Sequence, residues 1–113
     1  MNIKTAAALE DSIRHWEENL AAKMPLMAPV GPKDCALCNL FFFYSDCNGC
    51  PVMEKTGRKY CEGTPYRKAA STRMRWRNSC EDATRDEWRE KWRRACRDEI
   101  AFLKSLRQTE TEK

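Results

Sequence analysis

Cysteine carries the most specific chemistry in this sequence. Five of the seven cysteines fall within residues 35–61, as Cys35-Ala36-Leu37-Cys38, Cys47-Asn48-Gly49-Cys50 and Cys61. Zinc prefers soft thiolate ligands. A C-x-x-C turn suits it because the turn brings two sulfurs to one ion and aims backbone N–H groups at them. Asn48 and Gly49 both tolerate the positive φ that such a turn uses. Two such pairs, eight residues apart, point to a structural zinc site, and an iron–sulfur cluster is an alternative that spacing does not exclude. The simplest ligand set is Cys35, Cys38, Cys47 and Cys50. A helix across 37–44 would carry Cys47 away from Cys38 at about 1.5 Å per residue, so the chain would have to fold back. Cys61, returning after the Thr56-Gly57 turn, is then the substitute for Cys35 or Cys38. A closed four-thiolate site has no open position for water, so its expected role is structural. Cys80 and Cys96 stand apart; Cys96 falls on an apolar helix face and is expected to be a packed thiol.

Catalysis has little equipment here. The single histidine, His15, lies off the centre of its helix stripe, and the four glycines at 31, 49, 57 and 63 form no phosphate-cradling loop. The carboxylates after residue 80 fall into i, i+4 pairs with the acid N-terminal (Glu81–Arg85, Glu87–Lys91, Glu90–Arg94), the pattern of a solvated helix face. The expectation is a protein that is not an enzyme.

A second chemistry is electrostatic. Net charge is only +4, but residues 58–77 concentrate Arg58, Lys59, Arg67, Lys68, Arg73, Arg75 and Arg77 against Glu62 alone, with Met74 and Trp76 interleaved. Arg grips phosphates bidentately and aromatics stack on bases, so direct nucleic-acid contact is one reading. Arg, Trp and Met also dominate protein-interface hot spots, which is another. In the third, Trp76 and Met74 pack inward and the arginines stay solvated.

These groups need elements to hold them, and the chain is short of aliphatic core. Leu, Ile, Val and Phe number 16 of 113 residues, so a metal staple is expected to supplement the core. Leu9, Ile13, Trp16 and Leu20 recur at helical spacing and predict an N-terminal helix over 5–23, with Thr5 as N-cap. Prolines 25, 29 and 32 then predict an extended linker over 24–34. The cysteine module occupies 35–63. Within it, Leu37, Leu40, Phe41 and Tyr44 favour a short helix over a strand. Thr64-Pro65 is a strong helix start, and a second start at Ser79 opens a long helix whose face includes Trp88, Trp92, Ala95, Cys96, Ile100, Leu103 and Leu106. Helices thus fill 65–107, and 108–113 reads as a frayed tail. The stripe of the first helix needs a partner, and only the last helix is long enough, so the two should pack antiparallel across the cysteine knuckle. The fold class expected is mainly α, one small domain over 1–113.

No secretory leader or membrane span is legible at the N-terminus, where Ala6-Ala7-Ala8-Leu9 is too short before Glu10 and Asp11. The odd cysteine count suits a metal site with spare thiols better than a closed disulfide framework. Both favour the cytoplasm and argue against a membrane partner.

The run Asp34-Cys35-Ala36-Leu37-Cys38, Cys47-Asn48-Gly49-Cys50-Pro51-Val52, Thr56-Gly57 and Cys61-Glu62-Gly63-Thr64-Pro65-Tyr66 resembles small cysteine-rich proteins encoded by bacteriophages and prophages. The flanks at Ala8 to Glu17 and Glu99 to Leu106 are similar too, so the resemblance spans nearly the whole chain. It implies a phage accessory protein in the host cytoplasm and five patterned cysteines, Cys35, Cys38, Cys47, Cys50 and Cys61, with no transferable activity. Together these readings lead to the expectation of a protein that binds and modulates a host protein or nucleic-acid-handling complex, anti-defence inhibition being one specific form. The other expectation is a small zinc-containing nucleic-acid binder using 58–77.

Overall fold

The computed structural model describes residues 1–107, so the expected tail at 108–113 lies outside the described residues. Among these the chain is mainly α, with five α-helices, two short 3-10 turns and no strand. The helices are α1 (Ile3–Ala21), α2 (Ala36–Ser45), α3 (Pro51–Thr56), α4 (Pro65–Asn78) and α5 (Asp82–Ser105).

Helix α1 begins earlier than the periodicity indicates because Asn2, not Thr5, is the cap: its side-chain oxygen accepts the Thr5 N–H at 2.8 Å. Thr5 is buried inside the first turn instead. Helix α4 starts as expected, with Thr64 accepting the Tyr66 N–H at 3.3 Å and Pro65 in the first position, where its missing N–H is harmless. Ser79 proves to be the cap at the end of α4, and α5 starts at Asp82 behind Glu81. Of the three expected i, i+4 ion pairs only Glu87–Lys91 forms, at 3.2 Å; Arg85 turns to Asp82 and Glu90 to Arg97.

Helix α5 is the axis of the fold, packed on one side by α4 and on another by α1. Its pairing with α1 is antiparallel, because Glu10 meets Arg107, Glu17 meets Lys104 and the Ala22 carbonyl meets Arg89. The core is a row of three tryptophans, one each from α1, α4 and α5. Trp92 lies between Trp16, with ring centroids 5.8 Å apart, and Trp76, stacked at 6.2 Å. Leu9, Ile13, Leu37, Val52, Ala95, Cys96 and Leu103 fill the space around them. Large aromatic surfaces thus supply the burial that the sparse aliphatics cannot.

The stretch 24–34 is not the loosely extended tether its prolines suggest. It contains 3-10 turns at Pro25–Met27 and Pro32–Asp34 and is pinned by side chains from α1 and α4. Arg73 donates to the Ala28 carbonyl at 2.6 Å and the Pro25 carbonyl at 2.9 Å. Tyr66 Oη donates to the Val30 carbonyl at 2.6 Å, and His15 Nε2 to the Pro29 carbonyl at 2.8 Å. Proline removes donors but leaves carbonyls, and these long side chains satisfy them.

Candidate metal centre

All five patterned cysteines line one cavity of about 510 Å³, which sits between α1, α2, α3, the 58–61 loop and α5. The chain reaches it in three passes. Cys35 caps α2, its sulfur accepting the Cys38 N–H at 3.4 Å and standing 3.9 Å from the Ser12 hydroxyl. Helix α2 then carries the chain away. Asp46 and Cys47, at φ 53° and 72°, turn it back through the left-handed region. Asn48 does not take the positive φ expected of it; Gly49 does, at 91°, and a Cβ there would also press on the Phe41 ring at 3.1 Å. Cys50 follows as the N-cap of α3, a helix of six residues that ends on Gly57 in the left-handed conformation.

Cys61 returns on a loop that Asp46 clamps. One oxygen of Asp46 accepts from Tyr60 Oη at 2.7 Å, and the other meets Lys59 Nζ at 2.7 Å. The hydrogen bonds from Lys59 and Tyr60 hold the Asp46 carboxyl below the usual carboxylate range. Tyr60 and Cys61 also adopt positive φ, a conformation costly for non-glycine residues and kept here by that clamp.

Electrostatics inside the cavity follow from helix ends and burial. The Cys38 thiol hydrogen-bonds the Cys35 sulfur, and with help from the Cys38 and Leu37 backbone N–H groups and Ser12 it holds Cys35 below the ordinary thiol range despite burial. Cys38, the other half of that bond, is pushed up. Burial raises Cys50 against the pull of the Val52 and Met53 N–H groups, and burial with the nearby Cys35 charge raises Cys61 to about 12. Thiols placed at the N-termini of α2 and α3 are poised to be thiolates once a cation compensates their burial.

A residue the motif reading missed also faces this cavity. Glu99 of α5 is 4 % exposed, and its Oε1 has no hydrogen-bond partner. Burial, then the Cys35 charge, pushes its carboxyl up to about 8. The signal was legible: Glu99 interrupts the apolar stripe between Cys96 and Leu103, where an acid should not be.

Among the described residues no three Cys, His, Asp or Glu side chains are already gathered as a preformed metal cluster. The donors instead stand around the cavity wall. Their chemistry fits a borderline-soft divalent ion: five sulfurs, that of Cys35 receiving a helix N–H group, and one orphaned carboxylate oxygen. The remaining cysteines are elsewhere, Cys80 exposed beyond α4 and Cys96 fully buried in the core, where burial raises its thiol to about 12.

The basic segment is divided by the fold. Trp76 is 2 % exposed and stacked on Trp92, and Arg73 is spent on the 24–34 carbonyls, so neither belongs to an open binding face. Lys59 pairs with Asp46 and Arg67 with Glu62, while Arg75 lies over the Trp88 ring at 5.4 Å. Arg58, Lys68, Arg77 and Met74 are exposed. Other large apolar side chains are exposed too, among them Leu26 at 77 % and Met27 at 59 % on the first 3-10 turn, and Tyr44 at 85 % on α2. No helix among the described residues is long and apolar enough to cross a membrane. Comparison of the chain with family models, curated proteins and solved structures gives no match.

Proposed function

We propose that this chain is a non-enzymatic phage accessory protein, a zinc-stapled helical scaffold that binds and modulates a host protein in the cytoplasm. Inhibition of a host defence is one specific form of this role. The zinc is held by cysteines drawn from Cys35, Cys38, Cys47, Cys50 and Cys61, and it supplies folding energy by fastening α2, α3 and the Cys61 loop into one unit.

The observation that carries the binding role is the apolar turn at Pro25–Met27. Met24, Leu26 and Met27 are all more than half exposed, yet Arg73 ties the carbonyls of Pro25 and Ala28, within and just after the turn, to α4. Holding apolar side chains in water on a pinned turn spends no burial on the fold itself. A preorganised Met-rich surface is suited to a protein partner, because little ordering remains to be done on binding. Met74, one residue from the anchor, extends the same character to α4.

The test is a quantitative pull-down from phage-host lysate with the wild type and with a Leu26→Glu/Met27→Glu variant. A stoichiometric host protein retained by the wild type and lost in the variant supports the reading. A partner retained equally by both, or none at all, counts against it.

A second reading, nucleic-acid binding, is favoured by the exposure of Arg58, Lys68 and Arg77. It predicts affinity that falls steeply with salt as counterions are released. Replacing those three residues by Gln should abolish it; weak, salt-insensitive association unaffected by the change removes it.

A further inference from the structure

The zinc reading leaves Glu99 without a partner. This side chain is nine-tenths buried, lines the cavity of the five cysteines, and directs an oxygen with no hydrogen bond into protein interior. A buried carboxylate is sustained by a proton, a cationic neighbour or a metal. His15, Arg58 and Arg67 line the same cavity, but none of them pairs with Glu99: His15 bonds the Pro29 carbonyl and Arg67 meets Glu62, so without a metal, burial leaves the carboxyl its proton. We propose that Glu99 is itself a metal ligand, one of its carboxylate oxygens binding the zinc of the cysteine cavity in a mixed sulfur–oxygen shell.

Charge decides how it enters. A divalent ion with four thiolates is already an anionic centre, and adding a buried carboxylate would increase that charge in a poorly solvated cavity. Three thiolates and one carboxylate carry the same net charge as four thiolates, so Glu99 replaces a thiolate. Cysteines in excess of those ligands remain protonated in the cavity wall. Zinc accepts such sets, with oxygen at about 2.0–2.2 Å and sulfur at about 2.3 Å.

The consequence is architectural. The cysteines come from α2, α3 and the loops around them, whereas Glu99 comes from α5, the axis of the helical core. A bond from the ion to Glu99 would couple the cysteine module directly to that axis.

This inference rests on the zinc reading, and two measurements separate their failures. X-ray absorption on the zinc-loaded wild type is expected to show an oxygen in the first shell beside sulfur; a shell of sulfur alone overturns the Glu99 assignment while leaving zinc in place. Cobalt titration of the wild type, Glu99→Gln and Glu99→Cys, each stripped with a chelator and checked for helicity, gives the second. Glu99→Gln should lower metal affinity at least about tenfold, as loss of even an outer-shell partner does, and move the visible cobalt bands. Glu99→Cys should restore binding with a four-thiolate spectrum. A Glu99→Gln protein with wild-type bands and affinity overturns the assignment. A wild type that binds neither zinc nor cobalt overturns the zinc reading and this inference with it.

Discussion

Truncating Trp92 tests whether the tryptophan row is the core of this fold. Trp92 is 0 % exposed and in ring contact with both Trp16 and Trp76, so its indole joins three helices. Replacing a buried Trp by Ala costs about 3–5 kcal/mol, combining lost transfer energy with the cavity left behind. Each aromatic pair adds about 0.5–1.5 kcal/mol beyond area. Because the two neighbouring rings can partly collapse into the space, about 4 kcal/mol is the expected loss. A domain of this size has a total stability of about 6–17 kcal/mol, so Trp92→Ala should leave it folded with little margin or unfolded.

Trp92→Phe is the finer probe. It creates a smaller void, and it removes the indole Nε1–H, which is buried without a hydrogen-bond partner. Relief of an unsatisfied donor, worth about 1–3 kcal/mol, offsets part of the lost packing, and a net cost of about 1–2 kcal/mol is expected. Trp88→Phe is the control. Trp88 is half-buried beneath Arg75 and Lys91, and its replacement should cost less than about 1 kcal/mol. Urea unfolding followed by far-ultraviolet circular dichroism at fixed zinc gives all three values. A Trp92→Ala loss below about 1.5 kcal/mol, or a Trp88→Phe loss as large as that of Trp92→Phe, would refute the reasoning.

Two further outcomes follow from side chains placed by the fold. Arg73→Met should destabilise the protein by about 1.5–3 kcal/mol, because the Ala28 and Pro25 carbonyls lose a charged donor; a change within about 0.5 kcal/mol by urea unfolding would mean that the 24–34 stretch does not depend on it. The hydrogen bond from Arg107 holds the Glu10 carboxyl below its ordinary value of 4.5, so the stability this pair contributes is present above that value and is lost as pH falls through the folded-state midpoint. A carboxyl titration by NMR should place Glu10 below a free glutamate and return it upward in Arg107→Gln, and a Glu10 midpoint indifferent to that replacement would contradict the pairing.

How much of this was legible in sequence depended on the range of the interactions involved. The long stripes of α1 and α5 and the Thr64-Pro65 start of α4 were readable, because helix periodicity and capping are local. Helix α3 was not anticipated: Pro51–Thr56 is too short for periodicity to register, although Pro51 and Gly57 are a start and a stop signal. The fixed course of 24–34 was hidden because the residues that pin it, His15, Tyr66 and Arg73, lie on other helices. The basic segment admits three readings in sequence, and the structure combines them: Trp76 packs inward as one of them expects, Met74 does not, and Arg73 is neither solvated nor on an open face. Spacing within one helix could not reveal that α5 would bury the Trp or that a carbonyl-rich turn would take the Arg. The cysteine pattern located the candidate site, but the turn at Asp46 and Cys47 that returns the chain to it is held by contacts to Lys59 and Tyr60, distant in sequence.

Zinc in the cysteine cavity is tested most directly by elemental analysis of the purified protein, paired with circular dichroism before and after chelation. One zinc per chain is expected, and its removal should lower helicity or broaden the cooperative unfolding transition, because binding energy at such a site is largely folding energy. A chain free of zinc whose helicity and unfolding are indifferent to chelators, or a coloured protein carrying iron, would contradict it.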